Sequence, residues 1–199
     1  MINILITRIN QISGDKKLSE SKQIKMNLEK ITLIVLDVDG TMTDGGIYMD
    51  SNLVESKKFN IKDGIGIVLA QSVGVDFMII TGRSSACVEQ RANELHIKYI
   101  VQGIQNKAEY LKDFMSANKL LPENIAYIGD DLNDLPAMHY AGVSACPSDA
   151  AEEVKEYCDI VLSQKGGEGA IRAFVELLLK ERKLWNKAID NVFPIEKIL

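Results

Sequence analysis

No stretch of this chain approaches the roughly 20 consecutive apolar residues that a bilayer span requires, so no membrane-spanning segment is expected. Cysteine is scarce. Cys87, Cys146 and Cys158 are odd in number and lack metal-ligand spacing, so they read as buried or incidental thiols of a reducing, cytoplasmic compartment. Histidine is scarcer still, and His96 and His139 fall in helical stretches where a structural part is expected. Positive charge is also short: the net charge is −5 and the lysines and arginines form no stripe, which argues against a nucleic-acid partner. There is no internal repeat and no low-complexity tract. What remains is a chain of 199 residues, 46% hydrophobic and 26% charged, enough for one compact domain with a sizeable core.

The acids carry the information. The β-branched run Ile31-Thr32-Leu33-Ile34-Val35-Leu36 reads as a strand covered on both faces, and it delivers Asp37-Val38-Asp39-Gly40-Thr41. Ligands of open parallel sheets bind at the carboxyl ends of strands, and carboxylates placed there invite a hard cation such as Mg2+. An acidic surface turn would give the same pentapeptide, since Asp-Gly is common in turns. A second short apolar strand, Ile125-Ala126-Tyr127-Ile128, runs into Gly129-Asp130-Asp131-Leu132-Asn133-Asp134. Its three carboxylates repel one another unless a cation compensates, although one of them can serve as a helix cap.

Two further pieces lie between these clusters. Phe77-Met78-Ile79-Ile80 delivers Thr81-Gly82-Arg83, a hydroxyl and free amides at a strand-to-helix turn suited to a phosphoryl oxygen. Lys107 follows the strand Tyr99-Ile100-Val101 at the start of a helix, where the macrodipole disfavours a cation. In order, Asp-x-Asp, Thr, Lys and Gly-Asp-Asp-x-x-Asp each close an apolar strand. This constellation resembles the haloacid dehalogenase superfamily of phosphotransferases over roughly residues 31 to 180.

The resemblance implies a chemistry. Asp37 is the nucleophile that forms an aspartyl-phosphate, and Asp39 is the general acid and then the base. Mg2+ is held by Asp37, the Asp39 backbone carbonyl and Asp130, with Asp131 and Asp134 behind them. Thr81 and Lys107 spread the charge of the transferring phosphoryl group. An aspartate two residues after the nucleophile marks the phosphatases of the superfamily.

Spacing narrows the resemblance. Only 41 residues separate Asp39 from Thr81 and 25 separate Thr81 from Lys107, so neither gap has room for the cap domain that many relatives insert. Closure must then come from elsewhere, and an oligomer is expected from that need. The stretches Asp44-Gly45-Gly46-Ile47-Tyr48, Lys58 to Gly66, Gln102-Gly103-x-x-Asn106-Lys107 and Gly166-Gly167-Glu168-Gly169 resemble the capless 3-deoxy-D-manno-octulosonate 8-phosphate (KDO-8-phosphate) phosphatases of lipopolysaccharide synthesis. That family implies a homotetramer, a neighbour closing each site, and a small phosphorylated acidic sugar as substrate. It also implies sugar-binding parts for Asn60, Ile61, Lys62, Asp63, Gly64, Gly82, Arg83 and Arg91, the arginines answering a carboxylate. Lys62 and Glu168 depart from the family pattern, where Arg, or Arg or Lys, is usual. Phosphatases of nine-carbon keto-deoxy sugars (the KDN-9-phosphate type) share the Gly-Gly-Glu-Gly stretch. A non-catalytic binding protein on the same fold is the alternative from another class.

The organisation follows from periodicity. Short apolar strands are expected near 31–37, 76–80, 98–101, 125–129, 143–145 and 159–162. They alternate with helices near 64–73, 84–95, 107–119, 133–141, 149–157 and 169–190. That rhythm predicts a doubly wound, mostly parallel, Rossmann-like α/β sheet with helices on both faces. Residues 46–59 read as a protruding β-hairpin. Residues 1–8 are apolar but too short and polar-flanked for a signal peptide; 1–30 are expected as an N-terminal extension, with 9–30 a flexible or loosely docked arm, 31–180 as the phosphatase domain, and 181–199 as a charged helical tail.

Overall fold

The computed structural model describes residues 27–194. Its centre is a six-stranded parallel sheet built from β1 (Leu33–Leu36), β4 (Asp76–Ile80), β5 (Tyr99–Val101), β6 (Ile125–Ile128), β7 (Val143–Cys146) and β8 (Ile160–Val161), in the spatial order β5-β4-β1-β6-β7-β8. β1 lies between β4 and β6, with Leu36 opposite Ile79 on one side and Ile128 on the other. β1 is thus central, and the chain winds away from it in both directions. The doubly wound expectation is met.

Alternation along the strands explains why both faces are covered. Ile34, Leu36, Phe77, Ile79, Ala126 and Ile128 point into one apolar cluster. Leu33, Val35, Met78, Ile80 and Tyr127 point into the other, as side chains of period two must. The first cluster is closed by α1 (Ile61–Gln71), α2 (Ala86–Glu94) and α6 (Ala170–Glu181), whose Ile171, Phe174, Val175 and Leu178 form one apolar stripe. The second is closed by α3 (Lys107–Asn118), α4 (Leu135–Met138) and α5 (Glu152–Tyr157) through Leu111, Met115, Met138 and Val154.

Three elements differ from the periodicity reading. The expected helix at 169–190 is two helices, α6 and α7 (Trp185–Val192), separated by Lys183 at φ 56° with the Leu184 amide donating back to the Leu179 carbonyl. This break turns α7 onto the core, where Ala188 is buried and Trp185, Ile189 and Val192 pack against it. The chain as far as α7 is therefore packed on the domain. The helix expected at 133–141 shrinks to α4, because the residues before it form the acidic turn. The hairpin pairs only β2 (Tyr48–Met49) with β3 (Glu55–Ser56), extended by a single bridge between Thr43 and Phe59. Residues 1–26 of the expected arm lie outside the described residues. Residues 27–30 form a helical turn that buries Leu28.

Candidate active site

Four strand ends meet above the sheet. β1, β4 and β6 deliver Asp37, Thr81 and Asp130, and the loop after β5 delivers Lys107 as the first residue of α3. Beyond β1 the chain reverses at once: the amides of Thr41, Met42 and Thr43 all donate to the Val38 carbonyl at 2.9–3.3 Å. Gly40 adopts φ 96°, and the Asp130 carboxylate occupies the space where a β-carbon would stand. Only glycine allows that approach of the two acidic loops. The glycine pair Gly166-Gly167 buttresses the reversal from behind. Gly166 packs against the Gly40 carbonyl, and the Gly167 amide donates to the Thr41 carbonyl at 3.1 Å.

Lys107 is the hub. Its buried ammonium donates to Asp37 Oδ1 at 2.5 Å and to Asp134 Oδ1 at 2.8 Å. These two partners compensate the unfavourable placement of a lysine at a helix start. Burial disfavours its charge, but the pull of Asp37 and Asp134 wins and lifts its pKa above the ordinary lysine value. Asp134 is saturated. Tyr127 Oη also donates to Oδ1 at 2.8 Å, and the amides of Asp130 and Asp131 donate to Oδ2 at 3.1 and 3.4 Å. The carboxylate of Asp134 is therefore committed to holding Lys107 and the acidic turn, even though it clusters with Asp37 and Asp130.

Asp37 and Asp130 are different. Asp130 receives one side-chain hydrogen bond, from the Thr41 hydroxyl at 3.1 Å. Burial raises the Asp37 carboxyl to about 7, with repulsion from Asp134 adding to it and Lys107 opposing. Burial likewise raises Asp130 to about 8, reinforced by the charges of Asp37 and Asp134. With all three carboxylates ionised, one ammonium leaves two negative charges in a space whose ligand atoms lie within 4.8 Å of one another. Hard oxygen donors with a twofold excess charge fit Mg2+ well.

The remaining expected residues divide into those near this centre and those apart from it. Thr81 is buried at the end of β4. Its amide is used by Val101 and its hydroxyl accepts the Arg83 amide at 3.5 Å. Asp39 points to the rim, where the Lys57 ammonium donates to its Oδ1 and Arg83 Nε lies 3.9 Å from Oδ2. Arg83 is tied to the hairpin by a 2.6 Å bond to Glu55. It lies outside the helix that carries Arg91. α2 begins only after Ser85, whose extended φ of −148° lets the turn that starts at Thr81 finish first. Gly82 lies in that turn, and its carbonyl accepts from Gln105.

Asn60 caps α1 by accepting the Lys62 amide at 2.8 Å, and it donates to the Gly167 carbonyl at 3.2 Å. Asp63 is buried and caps α6, accepting from the amides of Gly169 and Arg172 at 3.2 and 2.7 Å. Ile61 is exposed, and Arg91 packs over Gly64 while pairing with Glu94. Lys62 lines a separate surface cavity of about 280 Å³ with Glu168 and Arg172. Asp131 is exposed, its carboxylate accepting the Leu132 amide at 2.8 Å.

Sequence reasoning passed over four of the site's side chains. Thr41 and Tyr127 had a signal, a hydroxyl beside the acidic motif and another in an otherwise aliphatic strand. Lys57 and Glu55 had none.

The model for haloacid dehalogenase-like hydrolases matches residues 99–174. A 3-deoxy-D-manno-octulosonate 8-phosphate phosphatase of Escherichia coli K12 is 41% identical over 159 residues, spanning 80% of this chain and 85% of the relative. The crystal structure of such a phosphatase from Moraxella catarrhalis, in complex with magnesium ion, phosphate ion and KDO, superposes with a TM-score of 0.82 at 36% identity, covering 86% of this chain and 98% of that one. A putative haloacid dehalogenase superfamily (subfamily III A) hydrolase from Legionella pneumophila gives 0.86 at 30% identity, covering 92% and 100%.

Proposed function

The chain belongs to the 3-deoxy-D-manno-octulosonate 8-phosphate phosphatases of the haloacid dehalogenase-like hydrolases, and from that membership we propose that it hydrolyses KDO-8-phosphate to KDO and phosphate with Mg2+ as cofactor. The observation that carries the reading on this chain's own residues is the Asp37–Lys107–Asp134 chain beside Asp130.

Lys107 occupies Oδ1 of Asp37, so Oδ2 is the oxygen left to attack phosphorus in line with the departing sugar oxygen. The P–O bond to the sugar breaks as the Asp37–phosphorus bond forms. Asp39 gives a proton to the leaving alkoxide, then takes one from the water that hydrolyses the aspartyl-phosphate. Thr81 and the Lys107 ammonium lie on the phosphoryl group and stabilise its charge, with no reorganisation needed for a lysine already held by Asp134. Asp37, the Asp39 backbone carbonyl and Asp130 would hold Mg2+. When bound, the cation neutralises the excess charge that otherwise repels a phosphate dianion.

Arg83 is assigned to the sugar carboxylate, which it would meet by exchanging Glu55 for the substrate. Asn60 to Gly64 and Arg91 are assigned to the wall beside it. The hairpin bears exposed Ile47, Met49, Leu53 and Val54, an apolar surface suited to burial against other copies in a homotetramer that also closes each open site. No helix of the described residues is long and apolar enough to cross a membrane, and a cytoplasmic location is assigned with the reading.

The test is phosphate release from KDO-8-phosphate and KDN-9-phosphate side by side, with Mg2+ and with chelator. Preference for the eight-carbon ester, lost with chelator, is the expected result. Preference for the nine-carbon ester would overturn the substrate, and release from neither would overturn the activity.

A further inference from the structure

The two aspartates of the Asp37-x-Asp39 pair are gripped by two different lysines, and only one of them belongs to the strand-end constellation. Lys57 stands one residue beyond β3, on the return arm of the hairpin. Although the hairpin is otherwise exposed, the Lys57 side chain is only 1% accessible. Its ammonium donates to Asp39 Oδ1 and lies 3.4 Å from Glu55 Oε1, and Glu55 in turn holds Arg83. Burying an ammonium is unfavourable unless its partners are fixed and well placed, so the contact orders both sides. Asp39 itself is 28% accessible. Without Lys57, the described residues leave it no closer side-chain partner than Arg83 Nε at 3.9 Å.

We propose that Lys57 is the positioning residue for Asp39, fixing the carboxylate so that Oδ2 faces the leaving oxygen and tying the hairpin to proton transfer. The proposal rests on the reading of Asp39 as proton donor. Lys57 takes no part in the bonds that change. The proton on Asp39 Oδ2 passes to the sugar oxygen as its bond to phosphorus breaks, and Lys57 stays on Oδ1 throughout. Misplacing a catalytic group by about 1 Å costs on the order of 10²-fold, and that loss should fall only where a proton donor is needed. A poor alkoxide leaving group needs one. A nitrophenolate does not.

The experiment compares kcat/KM for KDO-8-phosphate and for p-nitrophenyl phosphate in the wild type, D39N, K57M and K57R, with ribose 5-phosphate as a second alkyl ester. Because kcat/KM stops at formation of the aspartyl-phosphate, the later hydrolysis does not enter. K57M should lose about 10²-fold on the alkyl esters and no more than a few-fold on the aryl ester. D39N should show the same split more strongly, and K57R should recover part of the alkyl activity. K57Q serves as the second variant if K57M does not fold.

Equal losses on both ester types would reduce Lys57 to a structural residue and overturn the proposal, as would an unaffected K57M. A D39N variant without the split would overturn the assignment of Asp39, and the proposal with it. Wild-type activity on ribose 5-phosphate but not on KDO-8-phosphate would overturn the substrate instead, and the Lys57 comparison would still be read on the alkyl ester.

Discussion

Asp37 and Asp130 hold protons more tightly in the folded chain than free carboxylates do, and the sign of that shift makes a prediction. A carboxyl raised from the ordinary 3.8 to about 7 or about 8 stabilises the metal-free fold below pH 4 and loses that contribution as pH climbs through the raised values. Mg2+ competes with those protons for the same oxygens. The rise in Tm on adding Mg2+ should therefore be small at pH 5 and grow toward pH 8, measured by thermal melts with and without the ion. A shift that stays flat or shrinks with pH would contradict the assignment of these two acids as ligands. The acids were legible in the sequence because each closes an apolar strand, and a strand end in a parallel sheet has a fixed place. Lys57 was not legible. Whether a lysine is buried depends on the partner that meets it, and Asp39 lies 18 residues away along the chain.

At the scale of elements, the loop opening α1 carries a load the sequence did not disclose. Asp63, assigned with its neighbours to the wall beside the sugar, also satisfies the first amides of α6 from a distance of more than 100 residues. Asp63→Ala should leave those partly buried amides without this acceptor and cost about 2 kcal/mol in urea unfolding. A change within about 0.5 kcal/mol would mean that the cap is dispensable. Helix and strand existence followed from hydrophobic period, whereas the break at Lys183 did not, because a single left-handed residue leaves the apolar pattern of α6 and α7 almost in phase. The hairpin was legible from its polar turn, but its short pairing was not. β2 and β3 pair over only two residues each, leaving Ile47, Leu53 and Val54 exposed.

At the scale of the whole molecule, a capless sheet presents its catalytic end to solvent, and in the proposed tetramer those exposed apolar side chains would be buried against other copies. Replacing Ile47 and Leu53 together by Asp should dissociate the proposed tetramer, read as a fall to monomer mass by light scattering, with KM rising more than kcat falls. A monomeric wild type would contradict the tetramer. The order of motifs along the chain made the architecture readable, because parallel winding puts every βα loop on one end of the sheet.

The central claim is that Asp37 carries the phosphoryl group of KDO-8-phosphate. The measurement that reaches it most directly is an acid quench during turnover with Mg2+, followed by borohydride reduction and peptide mass mapping. Conversion of Asp37 to homoserine, absent from Asp37→Asn and from chelator-treated protein, is the predicted result. A mark on another residue, or Asp37→Asn releasing phosphate at a rate within about 10-fold of wild type rather than ~10³-fold or more below it, would contradict the account.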